Sequence, residues 1–307
     1  MFQAFEVGPF LLWTRLIFIL LGIWLSAEFF LRISESASLS LQHFRDHGLS
    51  YVVAFVLGGR ATAILADYRG YVSDPLYALY LNDGNFSYLG GAIGIGVVLY
   101  FATRGHRTTF LQWLDSLLPA ATLGLVFSWL GSFFAGDAYG KPTDMFWGVI
   151  YDSASVRYTI PLHPVQVYYA LFYFFLTFLL LIIRKRSKRV GTETLFGIAI
   201  ACIGTFVLES YRGDFSIPIF ATILDFSVLT FLFISLGVFA LIEHRINKTV
   251  SLGYELLLLA STVGYMFARP HLDFEPFELR LSQMLAVLAL LVTVVYVVIE
   301  RRRHPYF

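Results

Sequence analysis

The chain is a succession of long apolar runs separated by short polar segments. The runs lie near residues 10–31, 50–66, 86–103, 112–135, 164–183, 194–210, 218–241, 252–268 and 281–299. A transmembrane helix needs about 20 mainly apolar residues to cross the roughly 30 Å of hydrocarbon in a bilayer. The pattern therefore predicts an all-α, polytopic helical membrane protein in which each of the nine runs forms a transmembrane helix.

Composition agrees with this prediction and narrows the candidate chemistry. Hydrophobic residues make up 58% of the chain, charged residues make up 14%, and the formal net charge is +1. This charge gives no indication of a nucleic-acid partner, because membrane topology explains the basic clusters. The single cysteine, Cys202, lies in a predicted helix, so an internal disulfide and a two-cysteine metal site are excluded.

Lysine and arginine residues are distributed unevenly between the two sets of loops. Thirteen fall on one side: Arg45, Arg104, Arg107, Arg184, Lys185, Arg186, Lys188, Arg189, Arg245, Lys248, Arg301, Arg302 and Arg303. Six fall on the other: Arg69, Lys141, Arg157, Arg212, Arg269 and Arg280. Short cytoplasmic loops carry the excess of positive charge. We therefore expect a cytoplasmic C terminus, an N terminus outside, and the polar segment 136–163 on the outer face.

No basic residue precedes the first apolar run, and no small-residue cleavage site follows it within reach. We therefore expect the first helix to remain in the mature protein rather than to be removed as a signal peptide.

The segment 136–163 is the main polar interruption of the apolar chain. Its backbone groups cannot remain unpaired in hydrocarbon, so it must cap the membrane domain at the water face or line a wet cavity. Asp137 can accept a proton or orient a hydroxyl, and Lys141 can attract an anionic lipid headgroup. The alternative is that both residues only make turns and surface ion pairs.

Two further polar groups lie at predicted helix ends on the outer face. His163-Pro164 starts a helix in which Gln166 and Tyr169 are three residues apart, with Tyr168 beside them. This spacing predicts a polar cluster near the headgroups, although an interfacial aromatic belt is an alternative. Glu209 and Arg212 have the spacing of an ion pair, which either is structural or helps to close a lipid site.

Arg60 lies in the middle of an apolar run, where a charge costs roughly 2.5–3.5 kcal/mol on insertion scales. One interpretation is that it points into a polar cavity and binds a phosphate. The other is that it pairs with a carboxylate or reaches the interface, while Gly58 and Gly59 allow close helix packing. A similar packing role is expected for Gly90, Gly91, Gly94 and Gly96.

Other membrane functions have less support. No predicted transmembrane helix contains a His pair with a carboxylate between its members, as an intramembrane zinc protease would require, and no Gly-Xaa-Ser-Xaa-Gly arrangement indicates a serine protease. We expect no metal and no cofactor. A transporter usually has interrupted helices in matching places of two halves, whereas the interruption at 58–60 has no counterpart in the second half.

The order and spacing of several motifs resemble the prolipoprotein diacylglyceryl transferase family over about residues 5–243. The motifs are Val7-Gly8-Pro9, Gly58-Gly59-Arg60, Asp74-Pro75-Leu76, Asp83-Gly84, Gly90-Gly91, the stretch 136–144, Trp147-Gly148, the stretch 163–168 and Glu209-Ser210-Tyr211-Arg212. The resemblance implies a bacterial inner-membrane protein with a seven-helix core in 1–243 and an outer head loop at 136–163. Residues 244–307 then add two transmembrane helices and a basic cytoplasmic tail.

The family's reaction moves a diacylglyceryl group from phosphatidylglycerol to a lipobox cysteine, so the implied partners are a phosphatidylglycerol-like phospholipid and a prolipoprotein. Several positions depart from the family pattern. Leu89 stands where the family has its signature histidine, Trp129 and Ser132 where it has an arginine and an asparagine, and Thr205 where it has a second arginine. Asp137 and Tyr169 each replace a glutamate.

Two hypotheses follow from the resemblance and its departures. In the first, the chain is a divergent transferase: Arg60, Lys141 and Arg212 bind the lipid headgroup, and Asp137 or His163 acts as the base. The residues expected to shape this site are Gly140, Gln166, Tyr168 and Glu209. In the second, the chain is a catalytically inactive relative that serves as a lipid-binding or scaffold subunit, with another membrane subunit as its partner.

Overall fold

The structure is a computed structural model that describes residues 4–7, 10–66, 88–104, 107–152, 156–187, 189–216, 218–242, 247–272 and 274–303. Within these residues the chain forms nine helices: α1 Thr14–Ser36, α2 Gln42–Ala66, α3 Tyr88–Ala102, α4 Arg107–Ala135, α5 Val165–Arg186, α6 Thr192–Glu209, α7 Ile223–Ile242, α8 Lys248–Ala268 and α9 Leu281–Arg303. The motifs at Gly8-Pro9, Asp74-Pro75-Leu76 and Asp83-Gly84, and the side chain of Leu89, lie outside the described residues.

Each of the nine apolar runs contains one of these helices, which confirms the all-α fold class. Five helices are long and apolar enough to cross a membrane: Thr14–Ser36, Thr109–Ala135, Val165–Arg186, Thr192–Glu209 and Lys248–His271. Three shorter apolar helices accompany them: Gly90–Ala102, Ile223–Phe239 and Leu281–Val297. The chain is therefore a multi-pass membrane protein.

Two of the predicted helices begin too early, because strands occupy their first residues. Strand β1 (Ala4–Val7) pairs antiparallel with β2 (Phe10–Trp13), directly before α1. Strand β3 (Pro218–Thr222) pairs antiparallel with β4 (Pro276–Arg280), directly before α7 and α9. A short apolar run cannot be assigned to strand or helix by hydrophobicity alone, which explains the misplaced starts.

The chain folds into two compact units. Unit 1 comprises Met1–Ser26 and Ala121–Phe307, and unit 2 comprises Ala27–Ala120. The boundaries fall inside α1 and α4, so each of these helices contributes one half to each unit.

In unit 2, α2 and α3 pack with their backbones in close contact. A Cβ atom added to Gly58 would lie 2.3 Å from the carbonyl oxygen of Gly90, and one added to Gly94 would lie 2.2 Å from that of Ala54. Gly91 similarly faces the ring of Phe55. The predicted packing role is confirmed for Gly90, Gly91 and Gly94, because small residues let helices approach where lipid offers no hydrophobic driving force.

Gly96 differs from the other three glycines of α3. A Cβ atom at this position would meet no atom of the described residues within 4 Å. The prediction that Gly96 also allows close helix approach is therefore wrong.

In unit 1, several connections meet at one end of the helices. Gly140, between α4 and α5, forms an antiparallel bridge with Arg212, which follows α6. Asp225 at the start of α7 binds Arg269 after α8, with 2.7 Å between Oδ1 and Nε. The β3–β4 pair joins the entrances of α7 and α9. This end of unit 1 is called the head-loop end below, and it holds the candidate site.

We expect Gly58→Ala to destabilise the protein, because its added methyl group would overlap the carbonyl oxygen of Gly90 and push α2 away from α3. Overpacking of this kind costs about 1–3 kcal/mol. Gly96→Ala is the matched control, since the space around it is open and alanine favours the helix by about 1 kcal/mol. Thermal unfolding of the detergent-purified variants measures the difference. Equal unfolding temperatures for the two variants would contradict the packing assignment.

Candidate functional site

The head loop, residues 136–163, has its own small hydrophobic core. Tyr139, Tyr151 and Leu162 are buried together. Leu162 also exchanges two main-chain hydrogen bonds with Val149, at 2.9 and 3.0 Å. The prediction that this loop is structured is therefore confirmed, and its position on the outer face stays a prediction.

Main-chain hydrogen bonds join the head loop to the segment after α6. The amide of Lys141 donates to the carbonyl oxygen of Tyr211 at 2.8 Å, and the amide of Gly213 donates to that of Tyr139 at 2.9 Å. Gly140 lies at the crossing point, where an added Cβ atom would be 2.3 Å from the carbonyl oxygen of His163. Only glycine fits this position without displacing the backbone.

Asp137 occupies the start of the head loop. Its carboxylate accepts a hydrogen bond from Arg15 of α1, with 2.7 Å between Oδ2 and Nη1. The main-chain carbonyl oxygen of Asp137 accepts a 2.6 Å hydrogen bond from the side-chain amide nitrogen of Gln166. The side-chain oxygen of Gln166 in turn accepts a hydrogen bond from the Tyr151 hydroxyl at 2.9 Å. Burial raises the pKa of Tyr151, although its hydrogen bond to Gln166 opposes the shift, so the hydroxyl stays protonated and donates. This chain of hydrogen bonds holds the head loop on α5.

An aromatic group surrounds His163. The Nδ1 atom of His163 lies 3.1 Å from the hydroxyl oxygen of Tyr168. The indole N–H of Trp147 donates to the same hydroxyl oxygen at 2.7 Å. The ring of Tyr211 stands edge-on to the imidazole, with 5.4 Å between ring centroids. The imidazole is thus oriented by fixed partners and remains half-buried rather than enclosed.

Glu209 is the centre of a buried ion cluster. Its side chain is 3% exposed and pairs with Arg212 at 2.7 Å through one oxygen and with Arg280 at 2.8 Å through the other. Asp214 also contacts both guanidinium groups, at 2.5 Å and 2.7 Å. Two positive and two negative charges therefore compensate each other within the cluster. The ion pair predicted between Glu209 and Arg212 is confirmed.

The carboxylate partners of Arg212 stabilise its positively charged form. Burial disfavours its charged form, but the hydrogen bonds to Asp214 and the charge of Glu209 outweigh burial and raise the pKa of Arg212 above its ordinary value. Arg212 therefore stays positively charged and donates to both Glu209 and Asp214.

Next to the ion cluster, Trp129 of α4 stacks on Tyr169 of α5. The rings are almost parallel, with 4.1 Å between centroids and an interplanar angle of 5°. The Tyr169 hydroxyl donates to Glu209 at 3.0 Å, and the guanidinium carbon of Arg212 lies 5.9 Å from the centroid of Trp129. Offset or parallel aromatic stacking adds about 0.5–1.5 kcal/mol beyond burial. The pair forms a rigid wall against the ion cluster.

The family model described as prolipoprotein diacylglyceryl transferase matches residues 3–299 of this chain. The chain belongs to the prolipoprotein diacylglyceryl transferase family.

Several relatives share the full name phosphatidylglycerol–prolipoprotein diacylglyceryl transferase. The Clostridium tetani protein is 28% identical over 197 residues, which cover 64% of this chain and 79% of the relative. The Rickettsia bellii protein is 26% identical over 250 residues, covering 78% and 93%. The Tolumonas auensis protein is 31% identical over 173 residues, covering 54% and 66%.

The structure gathers most of the predicted site residues of this family member at the head-loop end of unit 1. They are Asp137, Gly140, Lys141, His163, Gln166, Tyr168, Glu209 and Arg212. Arg60 is placed differently, because it is buried in α2 of unit 2, with 6% exposure. The roles assigned to all nine residues remain predictions.

Four of the positions predicted to depart from the family pattern lie at this end. Trp129 and Tyr169 form the aromatic stack. Thr205 lies one turn before Glu209, and its carbonyl oxygen is 3.5 Å from the Tyr169 hydroxyl. A fourth departure, Ser132, is buried and its carbonyl oxygen accepts from the Asp137 amide at 3.0 Å. None of these four residues has an ionic side chain, and they contribute packing and hydrogen bonds instead.

Sequence reasoning missed several partners of the site. Arg15 holds Asp137, while Asp214 and Arg280 complete the ion cluster. Gln283 of α9 also donates to the carbonyl oxygen of Phe206 at 3.0 Å. The only feature of the sequence that could have indicated a role for Arg280 is its position directly before an apolar run. The division of the chain at residue 243 remains a prediction, but the ion cluster draws one of its cations from beyond that residue.

Among the described residues, no group of three or more His, Cys, Asp or Glu side chains is arranged to hold a metal ion.

We expect Arg280→Ala to destabilise the protein strongly, because it removes a positive partner from Glu209 and from Asp214 at once. The loss should be about 3 kcal/mol, the lower end of the range for breaking a buried ion pair, since Arg212 remains in place. Thermal unfolding in detergent measures it. Arg157→Ala is the matched control, because Arg157 is exposed on the head loop and forms no ion pair with any described residue. Equal loss in both variants would show that the cluster contributes no specific stability.

Proposed function

We propose that the chain binds a phosphatidylglycerol-like phospholipid at the head-loop end of unit 1, with the lipid phosphate at Lys141. The supporting observation is the charge distribution around the head loop. Arg15, Arg212 and Arg280 are each paired with a carboxylate. The ammonium group of Lys141 is exposed and has no ion-pair partner among the described residues, so its charge is available to an anion.

The proposed lipid site lies on the outer face of a bacterial inner membrane. In this orientation the N terminus is outside and the C terminus is cytoplasmic, as the lysine and arginine distribution favours. The exposed aromatic side chains of the head loop, Phe146 and Trp147, suit the interface between headgroups and hydrocarbon.

The reaction that we propose for this site is the one in the names of the relatives, the transfer of a diacylglyceryl group from phosphatidylglycerol to a prolipoprotein. The cysteine sulfur forms a bond to the terminal glycerol carbon of the diacylglyceryl group. The bond from that carbon to the phosphate oxygen breaks, and glycerol phosphate leaves with the bonding electron pair. The thiol proton passes to a base.

We assign the base to His163 rather than to Asp137. The carboxylate of Asp137 already accepts a hydrogen bond from Arg15 at 2.7 Å. In the tautomer with a proton on Nδ1, His163 donates to Tyr168 and leaves Nε2 with a free lone pair. Tyr168, itself held by Trp147, therefore orients the imidazole. Asp137 serves to position the head loop.

The cation on the leaving phosphate is Lys141 in this proposal, and the role of Arg60 as a headgroup ligand stays a prediction from the sequence. Arg212, predicted from the sequence as a headgroup ligand, instead stabilises Glu209 and the loop that carries Gly213. A preorganised donor on a developing negative charge is worth about 10²–10³ in rate. Since Trp129 and Thr205 supply no such donor, we expect turnover to be slow.

A second candidate function is a catalytically inactive relative that binds lipid as a subunit or scaffold of a membrane complex. The observation that favours it is the ion cluster, whose four charges cancel, together with the neutral Trp129–Tyr169 stack beside it. This cluster offers no net positive charge to a phosphate.

The two candidates differ in product release. Purified protein is incubated with phosphatidylglycerol vesicles and a lipobox peptide, and glycerol phosphate is quantified. A divergent transferase releases it above background, and His163→Gln abolishes the release. Arg157→Ala is the control, because it removes another exposed outer-face cation without touching the proposed site. No release from wild-type protein that binds the lipid supports the inactive relative, and release unaffected by His163→Gln contradicts the assigned base.

Lipid binding is tested separately from turnover. We expect Lys141→Gln to weaken binding to nanodiscs or micelles containing phosphatidylglycerol by about fivefold, the effect of one cation near an anionic surface. Binding to phosphatidylcholine should not change, because its headgroup has no net charge. Arg157→Gln again serves as the matched control. Equal effects of the two substitutions, or an equal effect on both lipids, would remove Lys141 from the site.

A further inference from the structure

A large apolar groove lies at the end of unit 1 opposite the head loop. Its volume is about 1060 Å³. Pockets for drug-sized molecules usually span about 300–1,000 Å³, so this groove can accept a larger, elongated ligand. Its walls come from α5, α6, α7 and α9, and its apolar lining includes Leu195, Phe196, Leu290, Val294 and Val297.

Two arginines stand at the rim of this groove. Arg186, at the end of α5, and Arg189, in the turn before α6, both line it and are exposed. Neither guanidinium group forms an ion pair with any described residue. Their neighbour Arg184 instead lies 3.8 Å from the buried carboxylate of Glu193, a contact that joins the end of α5 to the start of α6. The rim therefore carries two uncompensated positive charges next to an apolar cavity.

We propose that this groove is a second lipid site, which binds an anionic phospholipid with its acyl chains along the apolar walls and its phosphate at Arg186 and Arg189. A neutral apolar ligand would gain no attraction from the two arginines, and a small soluble anion would gain nothing from the apolar walls. An anionic amphiphile can contact both the arginines at the rim and the apolar walls of the groove. Basic pockets between transmembrane helices are suited to such headgroups.

This site is separate from the proposed function, because it shares no residue with the head loop or with the ion cluster around Glu209. Arg186 and Arg189 belong to the set of loops that carries the larger share of lysine and arginine. The lipid is therefore not the donor in the proposed reaction, and its loss leaves the head-loop chemistry in place.

Gly237 of α7 provides a steric test of the groove. It lines the cavity, and an added Cβ atom would meet no atom within 4 Å. Gly237→Leu should therefore place its side chain in the space assigned to an acyl chain, without a clash in the protein. Gly253→Leu on α8 is the matched control, because a Cβ atom there also meets nothing within 4 Å and the residue does not line the groove.

The experiment uses the full chain in detergent with phosphatidylglycerol that carries a photoactivatable group on one acyl chain. Labelled peptides are mapped by mass spectrometry. We expect labelling at Phe196 and Val294, competition by unlabelled phosphatidylglycerol but not by phosphatidylcholine, and a loss of about tenfold in Gly237→Leu and in the Arg186→Gln, Arg189→Gln double variant. Gly253→Leu and Lys185→Gln, an exposed cation on the same turn that does not line the groove, should label as wild type.

Several results would overturn the proposal. Equal competition by phosphatidylcholine would show that the arginines do not select an anionic headgroup. Unchanged labelling in both the Gly237→Leu protein and the double arginine variant would show that the lipid lies elsewhere. Capture of a copurifying protein on Phe196 and Val294 in place of lipid would make the groove a protein interface. Lys141→Gln should leave this labelling unchanged, so failure here is distinct from failure at the head loop.

Discussion

The buried carboxylate of Glu209 is the constraint on which the head-loop end of unit 1 depends. A carboxylate that is 3% exposed at the end of a membrane helix is too costly to leave without positive partners. The chain supplies Arg212 from the segment after α6 and Arg280 from the entrance to α9. Because Arg212 also sits in the bridge to Gly140, the same interaction fixes the head loop. The buried carboxylate thereby joins the head loop, the segment after α6 and the entrance to α9.

The sequence predicted the helices well, because crossing a bilayer imposes one requirement, a run of apolar residues about 20 long, that can be seen without tertiary information. The two strand pairs were not predicted. At β3 the residues Pro218–Thr222 are as apolar as the helix that follows, and their strand conformation depends on pairing with Pro276–Arg280, more than fifty residues away along the chain. A short apolar segment does not show in its own sequence whether it is a strand or the start of a helix, nor which distant segment it pairs with.

Ionic contacts within the candidate site were predicted only where they are local. Glu209 and Arg212 are three residues apart, so helix geometry alone indicated their pairing. Arg15 and Arg280 were not assigned, because each meets its carboxylate partner through the fold rather than through spacing. The two-arginine rim at Arg186 and Arg189 was visible in the sequence as part of a basic cluster and was attributed to topology alone. The apolar cavity beside it becomes evident only when α5, α6, α7 and α9 are packed together.

The Trp129–Tyr169 stack makes α4 and α5 energetically dependent on the ion cluster. The two rings are 4.1 Å apart between centroids, and the Tyr169 hydroxyl donates to Glu209 at 3.0 Å. Residues that contact each other and share a partner do not contribute additively to stability. The aromatic packing of these two helices and the charge balance at their ends therefore act as one cooperative unit.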